Sequence, residues 1–475
     1  MNNCGINLEY DTYFSDFNLT HYFNDIDTSN TVNNKPVYYL LNETEKIIPT
    51  DAGQVILVNC SNCKISNLQN GQCMNVVQII ASINNTIIDN NFGSMNAVQI
   101  IASVNNNITS NNLNSISLIF SDFNGVTDNI VSGNNLFGIY LHSSSNNSIK
   151  SNMIQNCSSN TRANYRAIYL NGYYGNCNNN TLSNNTIQNI KGWFEKHPNG
   201  FSIAPAYGIY FYNSDYNIIS DNAIIENNLT IGLRLYQSDT NIISNNTITK
   251  NEYQGIDLSR AQSNIISNNT IKDHFWHYDF LEKGLGIEIS TGSLNNQIYH
   301  NTFINNIVGN AFDFCSNIWD NGYPSGGNYW DDYNGIDENG DGIGDTPYYI
   351  SGGDNQDRYP LGFFRETEPP LIKITKPKNA LYVMNIKLRK YLIRKSFIIG
   401  KIGITVNATD NESGIERVEF YIDGKLKANI NTKPYVYIWR RDRFRILGHR
   451  HKIKVIAYDK FGNNATKEIK VWKFL

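Results

Sequence analysis

Asn217-Ile-Ile-Ser-Asp-Asn222 returns as Asn241-Ile-Ile-Ser-Asn-Asn246 and again as Asn264-Ile-Ile-Ser-Asn-Asn269. A phrase repeated at a fixed short period is the mark of a stacked architecture. With one Asn of the turn as marker, Asn222, Asn245 and Asn268 are 23 residues apart. Upstream, Asn67, Asn90 and Asn111 keep the beat at 23 and 21, and Asn134, Asn152, Asn184 and Asn301 continue it through shorter and longer rungs. Asn and Ser compete with helical hydrogen bonds, so an Asn/Ile alternation favours short strands joined by turns. The reading is all-β: a right-handed parallel β-helix, a solenoid of about 23 residues per coil with stacked Ile ladders and stacked Asn turns. A leucine-rich solenoid needs another consensus, and a propeller a period of about 40 to 45.

Most coils also hold a strand of the form apolar-x-apolar-x, often opened by Gly. Period-two alternation sends both x positions to solvent. The first x reads Gln78, Gln99, Ser117, Tyr140, Tyr169, Tyr210, Arg234, Asp257 and Glu288; the second reads His142, Asn171, Tyr212, Tyr236, Ser259 and Ser290. Cross-strand stacking with an Arg234–Asp257 ion pair accounts for such a stripe structurally. The functional reading is a saccharide groove, where aromatic rings meet apolar sugar faces and charges bind hydroxyls or uronates.

Three coils exceed the period, each just before this strand. The additions are residues 158–165, Lys191 to His197 around Trp193, and Asp273 to Asp279 around Trp276. Insertions at one angular position build a wall, and solenoids commonly bind there. The candidate carbohydrate residues are Tyr140, Tyr169, Trp193, Tyr210, Tyr212, Arg234, Tyr236 and Trp276. Asp257 and Glu288 share an outer column, and carboxyls roughly 5 Å apart suit a retaining glycosidase. His274 and His277 are candidate general acids or bases. No lysine-and-aspartate set of a calcium-dependent lyase stands in the columns, so a degrading enzyme, hydrolase or lyase, is the alternative to a binding protein.

Asp337, Asn339 and Asp341 place oxygen donors at alternate positions before Gly342, with the Ile343 carbonyl and Asp345 to follow. That pattern predicts a structural calcium. The closing bidentate Glu of an EF-hand is missing, since the twelfth position is Tyr348.

These coils, together with Lys35-Pro-Val-Tyr-Tyr-Leu-Leu-Asn42, Asp51-Ala-Gly-Gln-Val-Ile-Leu-Val-Asn-Cys60 and Gly327-Asn-Tyr-Trp-Asp-Asp-Tyr333 through Asp345, resemble the NosD-type β-helix family over roughly residues 1–362. In particular they resemble the archaeal cell-surface members that carry many such repeats. The resemblance implies the fold, and a superfamily linked to carbohydrate-binding proteins and sugar hydrolases. Its namesake helps mature a copper centre, but no His/Met/Cys cluster here forms a soft-ligand site, so copper is not expected.

After Pro369-Pro370 the pattern changes to Leu371-Ile-Lys-Ile-Thr375, Ile404-Thr-Val-Asn-Ala408, Val418-Glu-Phe-Tyr-Ile422 and Ile453-Lys-Val-Ile-Ala-Tyr458, with a hairpin turn at Asp423-Gly424. This resembles an immunoglobulin-like β-sandwich of the kind appended to surface proteins. Residues 371–475 carry 24 Lys and Arg against 8 Asp and Glu, leaving 15 basic against 34 acidic in residues 1–370. The net charge of −3 therefore hides two oppositely charged modules. The basic clusters Lys387 to Lys390 and Arg440 to Arg445 suit an anionic surface. No recognition motif accompanies them, so no nucleic acid is expected.

The expected layout is a cap at 1–48, the β-helix over 49–315, the acidic loop and second cap over 316–366, and the basic sandwich over 367–475. Cys60 and Cys63 form a lone CxxC without a second pair to complete a zinc site. No stretch of about 18 apolar residues could span a bilayer. No signal peptide opens the chain, whose start reads as part of a rung, so a truncated start of a secreted or cell-surface product is expected. Asn-x-Ser/Thr sequons are frequent, but those at Asn184, Asn245 and Asn268 fall on ladder markers expected to be buried. The sequence thus points to a β-helix that binds polysaccharide or cell-wall glycan, or serves in adhesion or surface structure, with the sandwich as spacer or attachment.

Overall fold

The computed structural model describes residues 5–9, 17–70, 75–93, 97–133, 136–158, 162–197, 200–275, 284–362, 369–389, 395–410, 414–440, 449–459 and 463–474. They form two units, residues 1–363 and 364–475.

The first unit is a parallel β-helix. Its parallel stacking starts where Lys35–Leu41 pairs with Gln54–Val58 and runs, coil on coil, to Gly309–Asp313. A second face stacks ten three-residue strands in chain order, from Lys64–Ser66 to Gln297–Tyr299. Inside, Ile65, Ile87, Ile108, Val126, Ile149, Leu182, Ile219, Ile243, Ile266 and Ile298 form one ladder with no exposed surface. Each such burial contributes about 1.5–3 kcal/mol.

Between strands the chain turns at corners that share one design. A residue with left-handed φ is followed by a residue whose side chain points inward. At one corner the left-handed residues are Asn67, Asp89, Ser110, Asp128, Ser151, Asn184, Asp221, Asn245, Asn268 and His300, with φ from 54° to 60°. The inward residues that follow are Leu68 and then Asn90, Asn111, Asn129, Asn152, Asn185, Asn222, Asn246, Asn269 and Asn301, all buried. Each Asn side-chain oxygen accepts the backbone N–H of the residue one coil below, as Asn246 does from Asn222 and Asn269 from Asn246, both at 2.9 Å. Its amide donates to backbone carbonyls and to the next oxygen, closing the buried polar account. A second Asn ladder runs from Asn85 to Asn317, and a Ser ladder begins with Ser82, Ser103, Ser121 and Ser144.

Two expectations need correction here. Asn222 lies on the ladder, but Asn245 and Asn268 are the left-handed residues beside it, equivalent to Asp221; the ladder continues through Asn246 and Asn269. In an Asn-Asn pair the two residues do different work, one tolerating left-handed backbone and one bonding inward. The 23-residue count mixed the two positions. It follows that Asn184, Asn245 and Asn268 are exposed, not buried. Asn134 lies outside the described residues.

The ladders end on acids. Asn328 donates its N–H to Asp357 Oδ2, which also accepts Trp330 Nε1–H at 2.9 Å. Asn317 donates to Asp313. At the other end, the amide of Ile6 donates to Gln54 and that of Leu8 to Gln78, while Tyr22 packs on Ile56, Val58, Ile80 and Ile101. Gln78 is therefore buried, although alternation sends it outward.

The second unit packs a three-stranded sheet (Leu371–Lys376, Ile402–Thr409, Val436–Trp439) and a seven-stranded sheet around Ile398, Ile404, Phe420 and Val455. Asp423 and Gly424, at φ 48° and 80°, make the tight hairpin between Ile415–Ile422 and Lys425–Ile430.

Candidate functional site

Strand register puts both x positions in columns. Gln78, Gln99, Ser117, Tyr140, Tyr169, Tyr210, Arg234, Asp257 and Glu288 pair in succession, as do His142, Asn171, Tyr212, Tyr236, Ser259 and Ser290. Beyond the N-terminal cover, this face is a stack of aromatic rings. Tyr140 and Tyr169 lie 5.2 Å apart, Tyr169 and Tyr210 5.2 Å with planes 5° apart, and Tyr212 and Tyr236 5.5 Å. Because the rings stack along the axis, their faces are spent on one another. What they present outward is edges and phenol hydroxyls, a comb, where flat platforms for sugar faces were expected. Burial pushes the Tyr210 phenol up to about 12 and that of Tyr169 higher still, so both remain proton donors at neutral pH.

Sequence reading missed a third column, Phe137, Arg166 and Tyr207. Counted by twos from Tyr140, Phe137 should point inward. Yet Phe137 stacks on Tyr140 at 4.5 Å and Tyr207 on Tyr210 at 4.9 Å. The cause is a column of small residues one place along: Gly138, Ala167, Gly208, Gly232, Gly255 and Gly286. A Cβ at Gly208 would stand 2.4 Å from the Gly232 carbonyl, and one at Gly255 2.3 Å from that of Gly286. Backbones approach closely there, the pleat is broken, and the preceding side chain joins the outer face. The Gly opening the strand was the available signal.

Arginines are threaded among the rings. Arg166 lies 4.7 Å from the Tyr169 ring centre and 5.4 Å from that of Tyr210. Arg234 sits 5.6 Å from Tyr207 and 5.8 Å from Tyr236, with Nε 3.4 Å from Asp257 Oδ2. Its Nη1 donates to the Tyr207 hydroxyl, which also receives a bond from Asn164. Asp257 is only 8% exposed, and Glu288, one coil on, accepts from Gln254 Nε2 at 2.9 Å.

Two inserts meet beside the comb. In one of them Trp193–His197 pairs antiparallel with Gly200–Ala204. Arg162 of the preceding insert lies 5.5 Å from the Trp193 ring and 3.3 Å from Glu195. Trp276 and His277 lie outside the described residues. His274 does not reach the face. It is fully buried, in an inner column after Asn227 and Asn251, and shares hydrogen bonds with Asn251. Burial holds its imidazole down to about 4, so it is a structural residue, not a surface acid or base.

In the acidic loop the carboxylates are turned onto the loop's own backbone. Asp337 accepts from Gly340, Asp341 and Gly342, Asn339 from Asp341, Asp341 from Ile343, and Asp345 from Glu338. Among the described residues no three His, Cys, Asp or Glu side chains gather as a metal-binding group.

Residues 197–335 match the family model described as "Periplasmic copper-binding protein (NosD)", and residues 395–470 match a bacterial Ig domain. No curated protein matches the chain. Among solved structures it is similar to the A-module of a mannuronan C-5 epimerase from Azotobacter vinelandii, at 11% identity over 60% of this chain and 78% of that one, TM-score 0.38. It is also similar to the Dettilon tailspike protein, at 13% identity over 88% and 87%, TM-score 0.23. The fibronectin(III)-like modules of CbhA from Clostridium thermocellum share 28% identity over 22% of this chain, which spans 46% of theirs, TM-score 0.16. Among the described residues, no group of donors gathers that would fit the copper of the family description. Cys60 and Cys63 are buried in the stack, their thiols directed at backbone carbonyls, and desolvation pushes Cys60 up to about 11. No helix among the described residues is long and apolar enough to cross a membrane. The later coils of the parallel β-helix thus match the NosD model, and a match to a bacterial Ig domain follows them.

Proposed function

We propose that this is a secreted or cell-surface protein whose comb of tyrosines and arginines holds a polysaccharide along the solenoid axis, with the Ig domain as spacer or attachment to an anionic surface. The observation that carries the reading is the comb itself. Phenol hydroxyls recur once per coil at about the length of a pyranose unit, on the side where two inserts raise a wall. Sugars are polyols, and a regular row of donors is what they can match. The test is a glycan array with the intact chain, followed by titration of the hits. Replacing Tyr169 and Tyr210 together by Ala should weaken binding at least tenfold while the inner ladders, and hence most of the stability, remain. An intact chain that binds no glycan defeats the reading.

A second reading, cleavage of the same polysaccharide, draws on Asp257 and Glu288 being paired neighbours on adjacent coils. Product analysis on any bound glycan decides it. Asp257→Asn should abolish turnover if the pair is catalytic; an intact chain that releases no product rules cleavage out.

We also propose a structural calcium for the loop Asp337–Asp345, supported by its alternating oxygen donors and the glycines between them. An ion that binds only the folded state stabilises it by mass action. Millimolar calcium should raise the melting temperature and Asp341→Ala should remove the rise. A wild-type melting curve indifferent to calcium and to chelator refutes it.

A further inference from the structure

We infer that the polysaccharide carries negative charge and that Arg166 is the residue that reads it, an inference resting on the glycan reading of the comb. The three arginines of the comb are not equivalent. Arg234 has the Asp257 carboxylate at 3.4 Å. Arg260 is exposed at the comb's edge and donates to the Tyr236 hydroxyl at 3.2 Å. Arg166 has no acid. Among the described residues its one hydrogen bond runs from Nη1 to the Asn164 carbonyl at 3.2 Å, and its Nε, like that of Arg234, is buried without a hydrogen-bond partner, but with no carboxylate beside it.

A guanidinium has five N–H donors in one plane and is never neutral in a protein. The π electrons of the Tyr169, Tyr210 and Tyr207 rings, with centres 4.7, 5.4 and 6.0 Å away, attract its charge. They do not satisfy the in-plane donors. The result is a half-buried cation fixed by aromatic walls, with donors to spare, in the middle of a row of sugar-sized steps. A carboxylate or sulfate ester on the glycan supplies the missing acceptor, and a fork-shaped donor suits either oxyanion.

The rest of the comb gives the charge a direction. Asp257 lies three coils beyond Tyr169 and Glu288 four, about 14 and 19 Å at ordinary strand spacing. Asp257 is offset by Arg234, and Glu288 has Gln254 as its partner, so that end does not attract a second anion. The comb therefore favours a chain with intermittent charge, an anionic unit over Tyr169 and Tyr210 and uncharged units over the carboxylates.

Three hexasaccharides test this on the intact chain by calorimetry: hyaluronan, with one carboxylate per disaccharide; κ-carrageenan, with one sulfate; and neoagarohexaose, with neither. At low salt one of the charged probes should bind at least tenfold tighter than the neutral one, and which of them does so tells carboxylate from sulfate. Arg166→Gln should erase that preference, so that charged and neutral probes bind alike. Arg166→Lys, which keeps the cation but not the fork, should recover part of it. If neutral and charged probes bind alike, or if Arg166→Gln keeps the preference, the inference fails while glycan binding stands. If none of the three binds and the array is blank as well, the glycan reading itself has failed.

Discussion

Asn245 and Asn246 are neighbours in sequence with opposite fates. Asn245 is exposed, at φ 57°, and Asn246 is buried, with its oxygen accepting both the backbone N–H and the side-chain amide of Asn222. Truncating the second leaves several buried donors and acceptors unpaired, at about 1–3 kcal/mol each. Asn246→Ala should therefore cost about 3 kcal/mol or more in denaturant unfolding. Asn245→Ala should cost about 1 kcal/mol, because Ala lacks the short polar side chain that eases Asn into left-handed backbone, and Asn245→Gly nearly nothing. Equal costs for the two alanine variants would overturn the ladder assignment. This is where sequence reading reached its limit. Composition shows that Asn serves the turns, but two adjacent asparagines carry no label for which faces in.

At the scale of the element, buried ionisable groups of the inner columns and their ends oppose one another in stability: His274 on one side, and on the other Asp357 and Asp313, whose carboxyl pKa burial also raises. His274 titrates at about 4 folded and 6.5 unfolded, so its contribution is present above 6.5 and lost as pH falls toward 4. Asp357 is raised by burial to about 7 from 3.8, so its contribution is present below 3.8 and lost as pH rises through 7. Between pH 4 and 6.5 His274 and Asp357 tilt stability in opposite directions. His274→Asn, which restores the residue of its own column, should leave stability falling with pH; Asp357→Asn should leave it rising. Each change should reach about 3 kcal/mol at most across the window, read from melting or urea curves at several pH values. A wild-type profile that neither variant tilts would contradict the burial argument. Strand alternation foretold the Tyr140–Glu288 column, because period two is written in the sequence. It foretold neither His274, whose corner lies inside a lengthened coil, nor Arg166, because a broken pleat changes the parity of every residue before it.

For the whole molecule, the two-part plan was legible from the repeat and from the change of charge after Pro370. What no count of residues could show is how strictly each coil repeats the last. Asn217 bonds to Asn241 as Asn241 bonds to Asn264, both N–H to side-chain oxygen at 2.8 Å. The corner residues Thr240 and Ser263 have matching φ of 59° and 55°. The β-helix is thus a ruler whose graduations are interchangeable. Excising residues 241–263 joins Thr240 to Asn264 at an equivalent point, leaves the ladder ends at Asp313 and Asp357 untouched, and brings Arg234 onto Glu288 in place of Asp257. The shortened chain should fold cooperatively, with its comb one graduation, about 4.8 Å, shorter. Removing 12 residues instead puts strand against corner and should prevent folding. Length along the axis is then a property that this chain can gain or lose in whole units, so the length of its outer comb can change by duplication or loss of a coil without any alteration to its chemistry.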